Sequence, residues 1–139
     1  MKKPGKDGCN TYLDTNIAIY YLDKRMTEDA IRTVVQQMET GETAISVITE
    51  LELLGFKGMT DQERVRAIAL RDSVNVIELD SKIKETTIDV RTEHRIKLPD
   101  AIIAATAIAY DLTLLSRNEK DFGSIKGLKY INPFVHKGN

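Results

Sequence analysis

The chain has 139 residues, 42% of them hydrophobic and 29% charged, which suits one globular domain over residues 1–139 and is too apolar for a disordered chain. Twenty Lys and Arg face 21 Asp and Glu, a net charge of −1, which excludes a uniformly basic, DNA-coating protein but leaves room for a local basic strip. The longest apolar run, Ile17–Leu22, is too short to cross a bilayer, and the single cysteine, Cys9, excludes an internal disulfide and a cysteine-based zinc site, so the expected setting is the cytoplasm without membrane attachment.

Residues 1–8 are polar and glycine-bearing and read as a flexible leader, with no apolar segment of the kind a secretory signal needs. Asn10–Leu13 is a short strand, ended by Asp14-Thr15-Asn16, three good helix N-cap types ahead of the apolar Ile17–Leu22. Thr27 caps a second helix through Met38, with Glu28 and Asp29 in the first turn where the helix dipole favours anions, and Gly41 stops it. Thr43–Ser46 is a second strand, and Ser46 caps a helix to about Phe56, broken at Gly58. Thr60-x-x-Glu63 is a capping box that opens a helix to about Ser73. Val74–Leu79 is a third strand, and Asp80 caps a charged amphipathic helix to about His94. Pro99 suits the first turn of an apolar helix to Tyr110. Thr113–Leu115 is a fourth strand, Ser116–Gly123 a loop and Lys129–Ile131 a fifth strand.

Strands and helices alternate throughout. Parallel strands need helical crossovers, so this order predicts an α/β protein with a mostly parallel sheet of about five strands and helices on both faces. In such sheets ligands bind beyond the carboxyl ends of the strands. Asp14 follows the first strand, Glu50 lies in the first turns of the helix after the second, Asp100 opens the apolar helix, and Ser116–Asp121 follows the fourth strand. Each of these alone reads equally well as a cap, a dipole partner or a surface charge.

Two features favour a site. Ala101–Tyr110 carries no charge on any face and is therefore a buried helix, so Asp100 sits at the end of a desolvated element and needs donors or a cation. Glu50, in VITELELLGF, falls at the edge of its helix's apolar face, between Val47 and Leu54 on one side and Leu53 on the other. Glu52, Asp23, Asp80 and Asp111 read as caps, turns or surface. Converging carboxylates require a shared proton or a cation, and oxygen-only ligands favour Mg²⁺ or Mn²⁺. His94, at a helix end, and His136, in the tail, read as structural or exposed. With no P-loop and no glycine-rich dinucleotide fingerprint, the pattern points to metal-assisted phosphodiester hydrolysis. A rival reading is a phospho-acceptor domain of the receiver type, with Asp80 as acceptor, Ser116 after the fourth strand and Lys129 near the fifth. Against it, only one acidic residue follows the first strand, and two helices separate strands two and three.

Four segments carry a resemblance: LDTN at Leu13–Asn16, ISVITELELLG at Ile45–Gly55, KLPDAIIAATA at Lys97–Ala107 and LLSRNEKDF at Leu114–Phe122. In this order and spacing they resemble the PIN domain, most of all its bacterial and archaeal VapC toxin branch, and they cover the chain from Asn10 onward. The resemblance implies a three-layer α/β/α fold and a Mg²⁺- or Mn²⁺-dependent endoribonuclease acting on RNA. It also implies a homodimer held inactive by a VapB-type antitoxin. On its motifs the catalytic and metal-holding carboxylates are Asp14, Glu50, Asp100 and Asp121, with Asp14 and Asp100 as direct ligands and Asn16, Ser116 and Asn118 as supporting polar residues. The first strand is less apolar than is usual in the family, and Ser116 stands where threonine is common. Arg117 and Lys120 beside the last acidic motif, and Arg95 and Lys97 before Asp100, are candidates for RNA phosphate contacts. With five Tyr, three Phe and no Trp, extended base stacking is expected to be a minor part of binding. A PIN-like fold without catalysis, serving only for binding, is the remaining alternative.

Overall fold

The protein is described here by a computed structural model covering residues 10–134; the leader 1–8, Cys9 and His136 lie outside these residues. Five strands form one sheet: β1 (Thr11–Leu13), β2 (Thr43–Ser46), β3 (Asn75–Ile77), β4 (Thr113–Leu115) and β5 (Lys129–Ile131). All four pairings are parallel, in the order β3-β2-β1-β4-β5, so the first strand in sequence is the middle strand in space. Among the described residues seven helices accompany them: α1 (Thr15–Leu22), α2 (Glu28–Glu39), α3 (Val47–Leu54), α4 (Asp61–Ser73), α5 (Ser81–Glu93), α6 (Leu98–Tyr110) and α7 (Glu119–Phe122). This is the three-layer α/β/α arrangement.

The layers follow from side-chain alternation along the strands. Tyr12, Ala44 and Leu114 point to one face, where they pack with Ile83 and Val90 of α5 and Ala101, Ala104 and Ala105 of α6. Leu13, Ile45 and Leu115, each one residue on, point to the other face and pack with Ile17 of α1 and Ala30 and Val34 of α2. Helix α6 has seven buried residues, Ala101–Ala107, as its chargeless sequence requires. Ala18, Leu53 and Leu70 form a smaller cluster that ties α1, α3 and α4 together.

Capping sets the helix starts. Asp14, Thr27, Ser46, Thr60 and Asp80 all accept a backbone N–H from the first turn, and Thr60 with Glu63 closes a reciprocal capping box. Helix α3 stops at Leu54 rather than Phe56, because Gly55 is its C-cap; a Cβ there would come within 2.6 Å of the Leu51 carbonyl oxygen. Strand β3 is shorter than Val74–Leu79, and Leu79 is half exposed. The expected loop Ser116–Gly123 contains the short helix α7, nucleated by Asn118. No helix among the described residues is long and apolar enough to cross a membrane.

Candidate active site

Because β1 and β4 are neighbours, their carboxyl ends deliver Asp14 and Ser116 to the same place. Asp14 is buried, with 4% of its surface exposed. Its Oδ1 accepts the Ile17 N–H at 2.8 Å, which both starts α1 and fixes the carboxylate. The buried Ser116 side chain also hydrogen-bonds to it. Desolvation nevertheless dominates, aided by the nearby charges of Asp100 and Glu52, and pushes the Asp14 carboxyl up to about 6. Asp100, in the first turn of α6, is half-buried. Burial raises its pKa first, followed by the charges of Asp121 and Glu52, with Lys97 opposing.

Asp121 is held by Asn118. The Asn118 amide donates to Asp121 Oδ2 at 2.9 Å, its carbonyl oxygen accepts the Asp121 N–H at 3.2 Å, and Ser116 Oγ accepts the Asn118 N–H at 2.9 Å. The sequence SRNEKD thus folds into a small hydrogen-bonded unit that links Asp14, through Ser116, to Asp121. Asp14, Asn16, Glu52, Asp100 and Asn118 line a cleft of about 630 Å³, together with Thr15, Lys57 and the exposed Leu51 and Phe56.

Glu50, expected from the sequence in the acidic site, does not line this cleft. Glu50 Oε2 accepts from Arg71 Nη1 at 3.0 Å, which joins α3 to α4. Two positions along a helix are roughly 200° apart, so Glu50 and Glu52 face opposite ways. The edge of the apolar face, where Glu50 falls, is answered by an arginine from α4. Glu52 faces α1 instead, where the Thr15 hydroxyl donates to Glu52 Oε1 at 2.5 Å and in turn accepts from the Thr49 hydroxyl at 2.9 Å. Thr49 and Glu52 are three residues apart and share one helix face; that i, i+3 pairing of a hydroxyl and a carboxylate was the available signal. Lys57 also lines the cleft and went unremarked in the sequence.

Of the other expected contacts, one is near a site carboxylate. Lys97 is the N-cap residue of α6 and reaches Asp100 electrostatically; Arg95 and Lys120 are exposed. Arg117 lies over the Phe134 ring, 4.4 Å from its centroid. The residues of the receiver reading are scattered. Asp80 is exposed, caps α5 through the Ile83 N–H and accepts the Tyr110 hydroxyl, while Lys129 pairs with Asp111 at 2.8 Å. Ser116 is turned toward Asp14.

Among the described residues, no group of three or more His, Cys, Asp or Glu side chains is arranged to enclose an ion unaided. The donor set still fits a hard divalent cation, because Mg²⁺ is commonly held by only one or two carboxylates, with water and substrate phosphate completing its shell. A buried carboxylate raised by desolvation and by two like charges is the group such an ion would relieve.

A parallel α/β/α sheet with a carboxylate cleft at the end of its middle strands is the arrangement of a metal-assisted hydrolase site. The chain belongs to the PIN domain family, whose model matches residues 11–128, and within it to the VapC toxin type. It is similar to a chain of a toxin–antitoxin complex from Klebsiella pneumoniae, at 34% identity and TM-score 0.70 over 89% of this chain and 98% of that one. It is also similar to VapBC2 from Rickettsia felis, solved bound to a DNA fragment from the promoter, at 25% identity and TM-score 0.77 over 88% and 98%. VapBC-1 from nontypeable Haemophilus influenzae matches at 26% identity and TM-score 0.73 over 89% and 98%. No curated protein sequence matches the chain significantly.

Proposed function

We propose that this chain, as a single PIN unit, is a Mg²⁺- or Mn²⁺-dependent endoribonuclease. In this reading it is the toxin of a type II toxin–antitoxin pair, working in the cytoplasm as a homodimer and restrained by a VapB-type antitoxin. The observation that carries the reading is the approach of Asp14, Glu52 and Asp100 to one cleft from three different elements, with Asp121 beside Asp100.

Asp14 and Asp100 are the residues that would hold the ion, with Glu52 and Asp121 completing the acidic rim. When bound, the ion supplies Lewis-acid charge and activates water for attack on a phosphodiester. The chain's own contribution is position. The Ile17 N–H and Ser116 fix Asp14, Thr15 fixes Glu52, and Asn118 fixes Asp121. Lys97 and Lys57 bring positive charge to the rim, where substrate phosphates must approach an acidic centre. The exposed Phe56 and Leu51 beside the carboxylates fit a restraining partner that presents apolar side chains and a cation.

Purified protein is expected to cut RNA internally with Mg²⁺ or Mn²⁺ and to stop in EDTA. Asp14→Asn and Asp100→Asn should each lower the rate by orders of magnitude, whereas Asp80→Asn should leave it near wild type. Activity that survives both site variants and EDTA overturns the reading.

A further inference from the structure

Four side chains from α1, the turn after it, the segment after β4 and the segment after β5 alternate cation and ring. Arg117 Cζ is 4.4 Å above the Phe134 ring centroid, Phe134 meets Tyr20 edge to face at 5.7 Å and 73°, and Arg25 Cζ is 5.7 Å above the Tyr20 ring. The two rings are half-buried against Leu13, Leu115 and Ile131, while both guanidinium groups are exposed. Two members of the patch are placed next to cleft residues by the chain itself. Arg117 stands between Ser116, which holds Asp14, and Asn118, which lines the cleft; Tyr20 is one helical turn beyond Asn16, which also lines it.

Arg117 forms no hydrogen bond or ion pair among the described residues, and its contact is the ring beneath it. A guanidinium held over an aromatic ring is restrained there by cation–π attraction, and Arg117 is exposed, so its planar group is accessible to a ligand. Nucleobases of single-stranded RNA stack on such planes, and one stacked base contributes enough to change affinity by roughly tenfold or more. A residue that served only to neutralise a phosphate would need no such support, since a flexible point charge does that work.

We infer that Arg117, propped on Phe134, is a stacking platform for one nucleobase flanking the scissile phosphate, and so a specificity-determining residue of the site. This rests on the nuclease reading above. It narrows the sequence-based expectation about stacking to a single seat, and it changes Arg117 from a phosphate contact into a base contact.

The test uses the full-length protein, short fluorescent RNA oligonucleotides of mixed sequence, and copies of a cleaved oligonucleotide with one abasic residue at each position near the cut. With wild type, abasic substitution at one flanking position should raise KM roughly tenfold. Arg117→Lys keeps the charge and removes the plane. It should raise KM on the intact oligonucleotide by a similar factor, with kcat within about twofold, and should lose sensitivity to the abasic position while keeping the wild-type salt slope. Phe134→Leu should shift KM in the same direction while circular dichroism remains native. Arg117→Lys that behaves as wild type, alongside an Arg117→Ala variant that loses about one unit of salt slope, makes Arg117 a plain phosphate contact and overturns the inference. So does the absence of an abasic-sensitive position in an oligonucleotide that wild type cleaves. If wild type cleaves no RNA at all, the nuclease reading fails and this inference falls with it.

Discussion

Glu50 and Glu52 lie two residues apart and face different surroundings, so they separate two kinds of role. Glu52→Gln removes a charge from the cleft while leaving a group that Thr15 can still bond, and cleavage should fall roughly tenfold or more with little loss of stability. Glu50→Gln breaks a partly exposed ion pair to Arg71 and should cost up to about 1 kcal/mol in denaturant titrations, with the cleavage rate close to wild type. The opposite pattern would place Glu50 in the site. Asp14 carries a second prediction. Its folded-state pKa is raised, so the native protein retains a proton that the unfolded chain releases. In metal-free protein this makes stability greatest below the unfolded carboxyl value. Stability is then lost as pH rises from about 4 toward about 6, and above that the contribution is constant. Denaturation in EDTA across that window should show the decline, and Asp14→Asn, which still caps α1, should flatten it.

At the scale of elements, what could be read from the sequence was what local rules govern. Four helices begin where their caps predict, α1 begins after the first of its three candidate caps, and β2, β4 and β5 have the expected bounds because polar or turn residues bracket short apolar runs. For the candidate site, position in the cleft was legible where a motif fixes a residue at a strand end, as at Asp14, or at a buried helix end, as at Asp100. It was not legible inside α3, where the choice between Glu50 and Glu52 depends on which neighbouring helix offers an arginine and which a hydroxyl. That is a tertiary fact with no local trace beyond the Thr49–Glu52 spacing. Helix α7 was missed because four residues give too short a pattern to distinguish from a loop. Within the sheet, Tyr12 supplies a test of packing. Its hydroxyl is fully buried beside Ser46 and Thr106 but forms no well-shaped hydrogen bond with either. Burial, the largest cause, raises its pKa far above the ordinary tyrosine range. Tyr12→Phe should therefore melt no lower than wild type, since it removes a polar group whose burial is uncompensated. A drop of several degrees would mean that the hydroxyl has a partner such as a buried water.

Across the whole molecule, the acidic cleft sets stability against activity. Carboxylates gathered at one rim repel one another, and a divalent ion that binds the folded state far better than the unfolded one stabilises it by mass action. Mn²⁺ should raise the melting temperature of wild type and have a much smaller effect on Asp14→Asn or Asp100→Asn. In EDTA, Asp100→Asn should melt at or above wild type while being inactive. An equal response to Mn²⁺ in all three proteins would show that the ion binds elsewhere.

The position of β1 in the middle of the sheet has a consequence for how the protein is made. Tyr12 pairs with Ala44 on one side and with Leu114 on the other, so β1 waits for a second partner encoded far downstream of it. Pairings so distant in sequence form late, because the intervening chain must first be closed into a loop. Asp14 emerges early, but Ser116, Asn118 and Asp121, which complete its surroundings, emerge only with the strand that pairs beside it. A growing chain therefore has no assembled cleft until Ser116, Asn118 and Asp121 have been made. In the nuclease reading, the carboxylates of the cleft are synthesised well before they can act together, and activity begins only when the segment that holds Asp121 has folded beside β1.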